Sequence, residues 1–255
     1  MTNEEILSQI ELVQKKLDRV EAVNACSNIM SRYVNYHAMF RHRDYVKFWA
    51  KRDDDILEMP WGKYYGYEGV CHCYLAHHQD RADFGGEDKV PSAYFIHHLN
   101  TPVIVVAEDG MTARGAWWSP GIEGGMGMRP DGLPGGSAIW AWSKYGADFI
   151  KEDDGWKIWR MRIYPFFKTP MGTSWTACTD ESGPMDLAEF PPTQGPCTDT
   201  PWYMAPNMAY PADQPDPPKD YATYSELKRS FFGDMMTPPV GVPLPPAPPP
   251  RRERK

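Results

Sequence analysis

Proline divides this chain in two. Of its 26 prolines, eight lie before residue 184 and eighteen lie between Pro184 and Pro250. Proline lacks a backbone donor and clashes with the preceding turn, so it is excluded from helix interiors and central strands. Long helices and a full sheet are therefore confined to about residues 1–180. Residues 181–255 are expected to form an extended arm, docked as far as about residue 240 and a tail beyond. Pro243–Pro250 has the composition of a polyproline segment, and Arg251–Lys255 is a basic end. Trp202, Tyr203, Tyr210, Phe231 and Phe232 are the arm's candidate anchors, either on a neighbouring subunit or as a lid. Tyr221–Phe232 is read as a short helix.

In the first part, Thr2 and Glu5 have capping-box spacing, and Ile6, Ile10, Val13, Leu17 and Val20 recur with helical period. A second helix is predicted over about 22–40 and a short third over 44–50. A strand is predicted at Ile56–Met59, a turn at 61–66 and another helix over about 69–80. From Tyr94 the period becomes two. Strands are predicted at 94–106, 112–118, 138–150 and 156–166, with hairpin turns at Asp109-Gly110 and Asp153-Asp154-Gly155 and a glycine-rich loop over 121–136. Helices first and an antiparallel meander after them give an α+β fold.

Composition narrows the function classes. Lys and Arg number 27 against 34 Asp and Glu, a net charge of -7, which lacks the basic footprint of a nucleic-acid binder. No apolar run approaches the roughly 20 residues that span a bilayer. The opening Met1-Thr2-Asn3-Glu4-Glu5 has no basic region before an apolar one, so no signal peptide is read and no membrane partner is expected. Five cysteines, an odd number, point to a reduced cytoplasmic protein. No GxGxxG or Walker loop joins a strand to a helix, so no nucleotide cofactor is expected. Cys73 and His77, near Cys71, His72 and His78, stand four apart on a predicted helix. Third and fourth ligands are not evident, so a helix facing a subunit or solvent is preferred to a metal site.

Four local signatures then line up. They are Arg32-Tyr33-x-x-Tyr36-His37; Gly62-Lys63-Tyr64-Tyr65-Gly66; His97-His98-Leu99-Asn100-Thr101-Pro102 followed by Asp109 to Trp117; and Trp142-x-x-Tyr145-x-x-Asp148-Phe149 followed by Asp154 to Trp159. In this order they resemble the SnoaL-like branch of the NTF2-like superfamily over roughly residues 10–170. The resemblance is nearest to scytalone dehydratase, bile-acid 7α-dehydratase and the diarylpropane lyases of lignin breakdown. It implies an NTF2-like cone, a curved antiparallel sheet wrapped around the N-terminal helices. It also implies homodimers or homotrimers formed through the sheet, and acid–base chemistry without a cofactor on a bulky aromatic substrate.

The resemblance places His97 at the family's strand histidine and Tyr36 at its helix tyrosine. Imidazole titrates near neutrality and exchanges protons readily, and a buried phenol can polarise an oxygen. Tyr33, one turn before Tyr36, and His37 are further catalytic candidates. The family's helix carboxylate falls on Arg41, a cation that suits an oxyanion rather than a base. Its second histidine falls on Trp117. That departure tilts the expectation from dehydration towards a C–C lyase releasing a small aldehyde, with a dehydratase, an isomerase or a binding module as alternatives. Tyr64, Tyr65, Asn100, Trp117, Trp140, Trp142, Lys144 and Tyr145 are candidate substrate contacts, because aromatic walls suit a flat ring. Trp140, Trp142 and Lys144 share one strand face, and Trp117 shares another with Gly115.

Overall fold

The computed structural model describes residues 1–59, 62–79, 94–125, 136, 138–174 and 217–224. Helix α1 (Asn3–Ala38) is opened by the predicted capping box: Glu5 N–H donates to the Thr2 hydroxyl at 3.2 Å, and Thr2 N–H donates to the Glu5 carboxylate at 2.7 Å. It ends where Phe40 turns left-handed, at φ 53°. The two predicted helices are thus one. No glycine, proline or cap interrupts Val20-Glu21-Ala22-Val23. What changes there is the apolar face, since the first buried residue of α1 is Ala22.

Short α2 (His42–Tyr45) and a 3-10 turn (Val46–Phe48) lead to β1 (Ile56–Met59). The predicted turn at 61–66 is instead strand β2 (Gly62–Tyr65), paired with β1. Gly66, at φ +68°, turns the chain into α3 (Gly66–Cys71), a conformation that side chains with a Cβ rarely adopt. A π-helical segment (His72–Gln79) continues it.

The predicted strand 94–106 is broken into β3 (Tyr94–His97) and β4 (Asn100–Val106). Pro102 has no N–H for the ladder, Thr101 sits at φ 49°, and the register shifts between Asn100 and Val103. Strand β5 (Thr112–Gly124) runs six residues past its predicted end. Pro120 falls where β5 changes partner from β4 to β3, a break at which a missing N–H is tolerated. Strands β6 (Ala138–Glu152) and β7 (Gly155–Pro170) complete a sheet of order β2-β1-β7-β6-β5-β3, with β4 also on β5.

Among the described strands all pairs are antiparallel except β1–β7, which is parallel with Ile56 opposite Arg160. That pair corrects the expectation of an antiparallel sheet. It joins strands about a hundred residues apart and leaves no local turn signal in the sequence.

One face of the sheet packs on the C-terminal half of α1. It carries Ala113, Trp117, Tyr145, Ala147, Phe149, Ile158 and Met161, against Cys26, Ile29, Met30 and Tyr33 of the helix. The opposite face receives the described part of the arm, 217–224. Glu108 N–H donates to Tyr221 C=O at 3.0 Å and Asp109 N–H to Ala222 C=O at 3.2 Å. The Tyr224 ring lies 4.6 Å from that of Trp159. This part of the arm is therefore docked, by Tyr221 and Tyr224. The anchors expected from sequence (Trp202, Tyr203, Tyr210, Phe231, Phe232) and the predicted helix after Tyr224 lie outside the described residues, while 221–223, its expected start, are not helical.

Candidate active site

Titratable side chains converge between α1 and the inner face of β3, β5 and β7. His97, at the end of β3, places Nε2 at 3.5 Å from Glu123 Oε1 on β5, and Glu123 Oε2 meets Lys168 Nζ of β7 at 2.5 Å. The His97 side chain is 11% exposed, and its Nδ1 has no hydrogen-bond partner among the described residues. The ring fits because the facing residue is Gly121: a Cβ there would stand 2.5 Å from His97 Nδ1. Burial holds the His97 imidazole below its ordinary value of 6.5. The Glu123 carboxylate pulls it back up, and Lys168 opposes that. At neutral pH His97 is an uncharged base with a carboxylate at its back.

His37 stands beside it, with ring centroids 5.8 Å apart, and His37 Nδ1 shares a 2.8 Å hydrogen bond with His42 Nε2. One of these two nitrogens carries the proton. His37 also stacks on Tyr33 and Phe95, and its i,i+4 spacing from Tyr33 puts both side chains inside. Around them, Tyr33 lies 4.5 Å from Tyr45, 6.2 Å from Tyr74 and 6.0 Å from Tyr145, ring to ring. Burial pushes all four phenols up, so each keeps its proton and acts as an O–H donor. The Tyr45 hydroxyl already accepts from Trp49 Nε1 at 2.7 Å. Tyr33 OH, near Tyr145 and Tyr74, has no well-aligned hydrogen bond among the described residues.

A family profile described as the SnoaL-like domain matches residues 18–162, more than half of the 255 residues. The chain belongs to the SnoaL-like domain family. No curated protein matches its sequence. Solved structures similar to this SnoaL-like chain include an NTF2-like protein with a cystatin-like fold from Novosphingobium aromaticivorans, at 12% identity and TM-score 0.44, covering 68% of this chain and 93% of that one. A hexachlorocyclohexane dehydrochlorinase from Novosphingobium barchaimii LL02 is similar at 17% identity and TM-score 0.47, covering 62% and 96%. A protein named as a candidate scytalone dehydratase from Novosphingobium aromaticivorans is similar at 16% identity and TM-score 0.43, covering 64% and 99%. At these identities no function passes from them to this chain.

The SnoaL-like core gathers His97, His37, Tyr33, Tyr145 and Trp117 on the inner side, with Trp117 and Tyr145 opposite each other across β5 and β6. The remaining sequence candidates lie elsewhere. Tyr36 is half-buried, stacked on Phe48 and lying under Arg41, whose guanidinium is 5.0 Å from its ring. Arg41 itself is exposed and pairs with Asp44 at 2.6 Å. Trp140, Trp142 and Lys144 alternate with Tyr145 and so occupy the outer face: Trp142 stacks on Phe167, and Lys144 Nζ is 4.4 Å from the Trp118 ring. Asn100 is exposed opposite Trp118. Tyr64 is buried in the core, 6.4 Å from the His72 ring, and Tyr65 is buried on the other face of β2. His98 is exposed, and its backbone N–H donates to Pro120 C=O at 3.2 Å.

Sequence reasoning did not reach Glu123, Lys168, His42, Tyr45 or Tyr74. Alternation carried on from Trp117 puts residues 119, 121 and 123 on the same face, but the glycine-rich composition of 121–136 reads as a loop and hides it. Cys73 and Tyr74 are fully buried, which corrects the expectation that this helix faces a subunit or solvent. The side chains of His77 and His78 lie outside the described residues, and among those described no group of three His, Cys, Asp or Glu could hold a metal ion. No helix among the described residues is long and apolar enough to cross a membrane.

Proposed function

We propose that this chain is a cofactor-independent acid–base enzyme that eliminates a small leaving group from a bulky, hydroxylated, ring-containing substrate. The observation that supports this most is the His97–Glu123–Lys168 line, with His97 standing beside the His37–His42 pair. In a dehydration, Nδ1 takes a C–H proton and that bond's electron pair forms the C=C bond. The C–O bond breaks, and the departing hydroxyl takes a proton from a phenol or the His37–His42 pair and leaves as water. Glu123 stabilises the imidazolium formed, and phenol O–H groups hydrogen-bond the oxygen that gains charge.

The C–C alternative, a diarylpropane-lyase-like loss of formaldehyde, uses the same groups. His97 would take the hydroxyl proton, the O–H pair would form the aldehyde C=O, and the pair of the breaking C–C bond would form C=C as the neighbouring hydroxyl, protonated by a phenol or the His37–His42 pair, leaves as water. The sequence favoured this reading because Arg41 replaces a helix carboxylate. Glu123 weakens that reason, since a carboxylate reaches His97 from β5 instead.

The test is to incubate the purified protein with hydroxylated polycycles and with diarylpropane diols, following new conjugated absorbance and formaldehyde separately. Conjugation without formaldehyde supports elimination, and formaldehyde release supports C–C cleavage. Tight binding without change in either compound class would make the protein a binding module. Full turnover by a His97→Ala variant would remove the base from this scheme.

A further inference from the structure

The first nineteen residues of α1, Asn3–Glu21, are all exposed, although they include Ile6, Ile10, Val13, Leu17 and Val20. These five are between 38% (Ile6) and 64% (Val13) exposed. Their spacing is four, three, four, three, the heptad period of a two-helix seam rather than the broader stripe of a helix lying on a domain. Taking Ile6 as d puts Ile10 and Leu17 at a, and Val13 and Val20 at d.

In that register the residues α1 buries in its own domain fall elsewhere, Ala22 and Ile29 at f and Cys26 at c. At 100° per residue the seam and the domain face lie on nearly opposite sides of the helix. The chain's own core therefore cannot cover the seam, and at 1.5 Å per residue the exposed part is about 28 Å long.

We propose that this seam pairs with the same seam of a second copy, as a short parallel left-handed coiled coil that makes the protein a homodimer. Charge complementarity selects both the partner and the direction. Lys16 is at g and Glu21 at e, which is the g-to-e′ spacing that brings opposite charges together between parallel in-register helices. Asn24, exposed, takes the next a position, where a facing pair of asparagines favours the aligned register. Beyond it the seam becomes polar at Ser27 and Ser31, so pairing ends where α1 enters the domain. With the domain faces at f and c, the two domains sit outward on either side.

Light scattering or sedimentation of the full chain tests this. The expected result is a species of twice 29.1 kDa. The double variant Ile10→Glu/Leu17→Glu is expected to halve that mass and leave the circular dichroism spectrum of the folded domain in place. Val13→Cys, at a d position facing its own counterpart, is expected to give a covalent dimer on mild oxidation that the wild-type chain, with its own cysteines, does not. A monomeric wild type, or a double variant that stays dimeric, overturns the proposal. A dimer whose Val13→Cys variant does not cross-link overturns the parallel direction.

Discussion

His97 Nε2 and Glu123 Oε1 stand 3.5 Å apart, a contact between an imidazole whose protonation is opposed by burial and a carboxylate that favours it. The first consequence is a pH dependence. Because the folded value lies below 6.5, the base is neutral at pH 7, and its acid limb in kcat/KM falls below pH 6.5. In Glu123→Gln the anion that raises His97 is gone, so the limb moves to still lower pH and kcat falls by about 10- to 100-fold. In Lys168→Met the opposing cation is gone and the limb moves up. A pH–rate profile of the three proteins checks both directions; identical limbs would mean that His97 is not the titrating base. The stability sign agrees. Between the folded value and 6.5 the unfolded chain binds the proton and the folded chain does not, so His97 lowers stability as pH falls through that window.

Gly121 leaves room for the His97 ring. A methyl group there would also meet Ala141 C=O at 2.6 Å, so neither neighbour is a flexible chain end. Gly121→Ala is expected to cost about 1–3 kcal/mol in stability by overpacking, and to lower turnover in the fraction that stays folded. Denaturant titration and activity on the same sample separate the two effects.

Tyr224 fastens the arm to the outer face of the sheet. Its hydroxyl donates to Asp148 Oδ2 at 3.0 Å and accepts from Arg160 Nη1 at 2.5 Å, while Arg114 holds Asp148 from the other side at 2.7 Å. Tyr224→Phe strands part of this buried network and is expected to cost about 1–3 kcal/mol. The melting temperature would fall by roughly 2–4 °C for each kcal/mol. An unchanged melt would show that the docked segment adds nothing to the domain.

Asp55 is buried with no well-aligned hydrogen bond among the described residues, and burial pushes its carboxyl up to about 9. Between its ordinary 3.8 and that value the unfolded chain has released the proton and the folded chain has not. Stability therefore falls as pH rises through this window. Asp55→Asn removes the dependence, so its advantage in melting temperature over the wild type should widen from pH 5 to pH 8. A constant gap would mean that Asp55 is ionised in the fold.

Much of this was legible from short-range chemistry. The capping box, the Asp109-Gly110 and Asp154-Gly155 turns and the period-two segments are local, and local propensity sets them. His97 was separated from His98 by strand alternation together with the motif. Alternation says which residues share a face but not which face turns inward. Trp140, Trp142 and Lys144 therefore stand opposite Tyr145 in face, but only packing shows that Tyr145 is the one turned inward, just as only packing shows that Tyr33 and His37, rather than Tyr36, are the buried side of α1.

The sequence by itself determined the capping box and hairpin turns, which are local, and which family the helix-then-strand order belongs to. It also carried the heptad seam of α1, which needs only spacing. Only the tertiary structure decided that β1 runs parallel to β7, that Tyr221 and Tyr224 hold the arm, and that Glu123 and Lys168 stand behind His97. Each of these joins residues that are distant in the chain. Their contact is set by sheet register and burial, which a pattern along one strand does not contain.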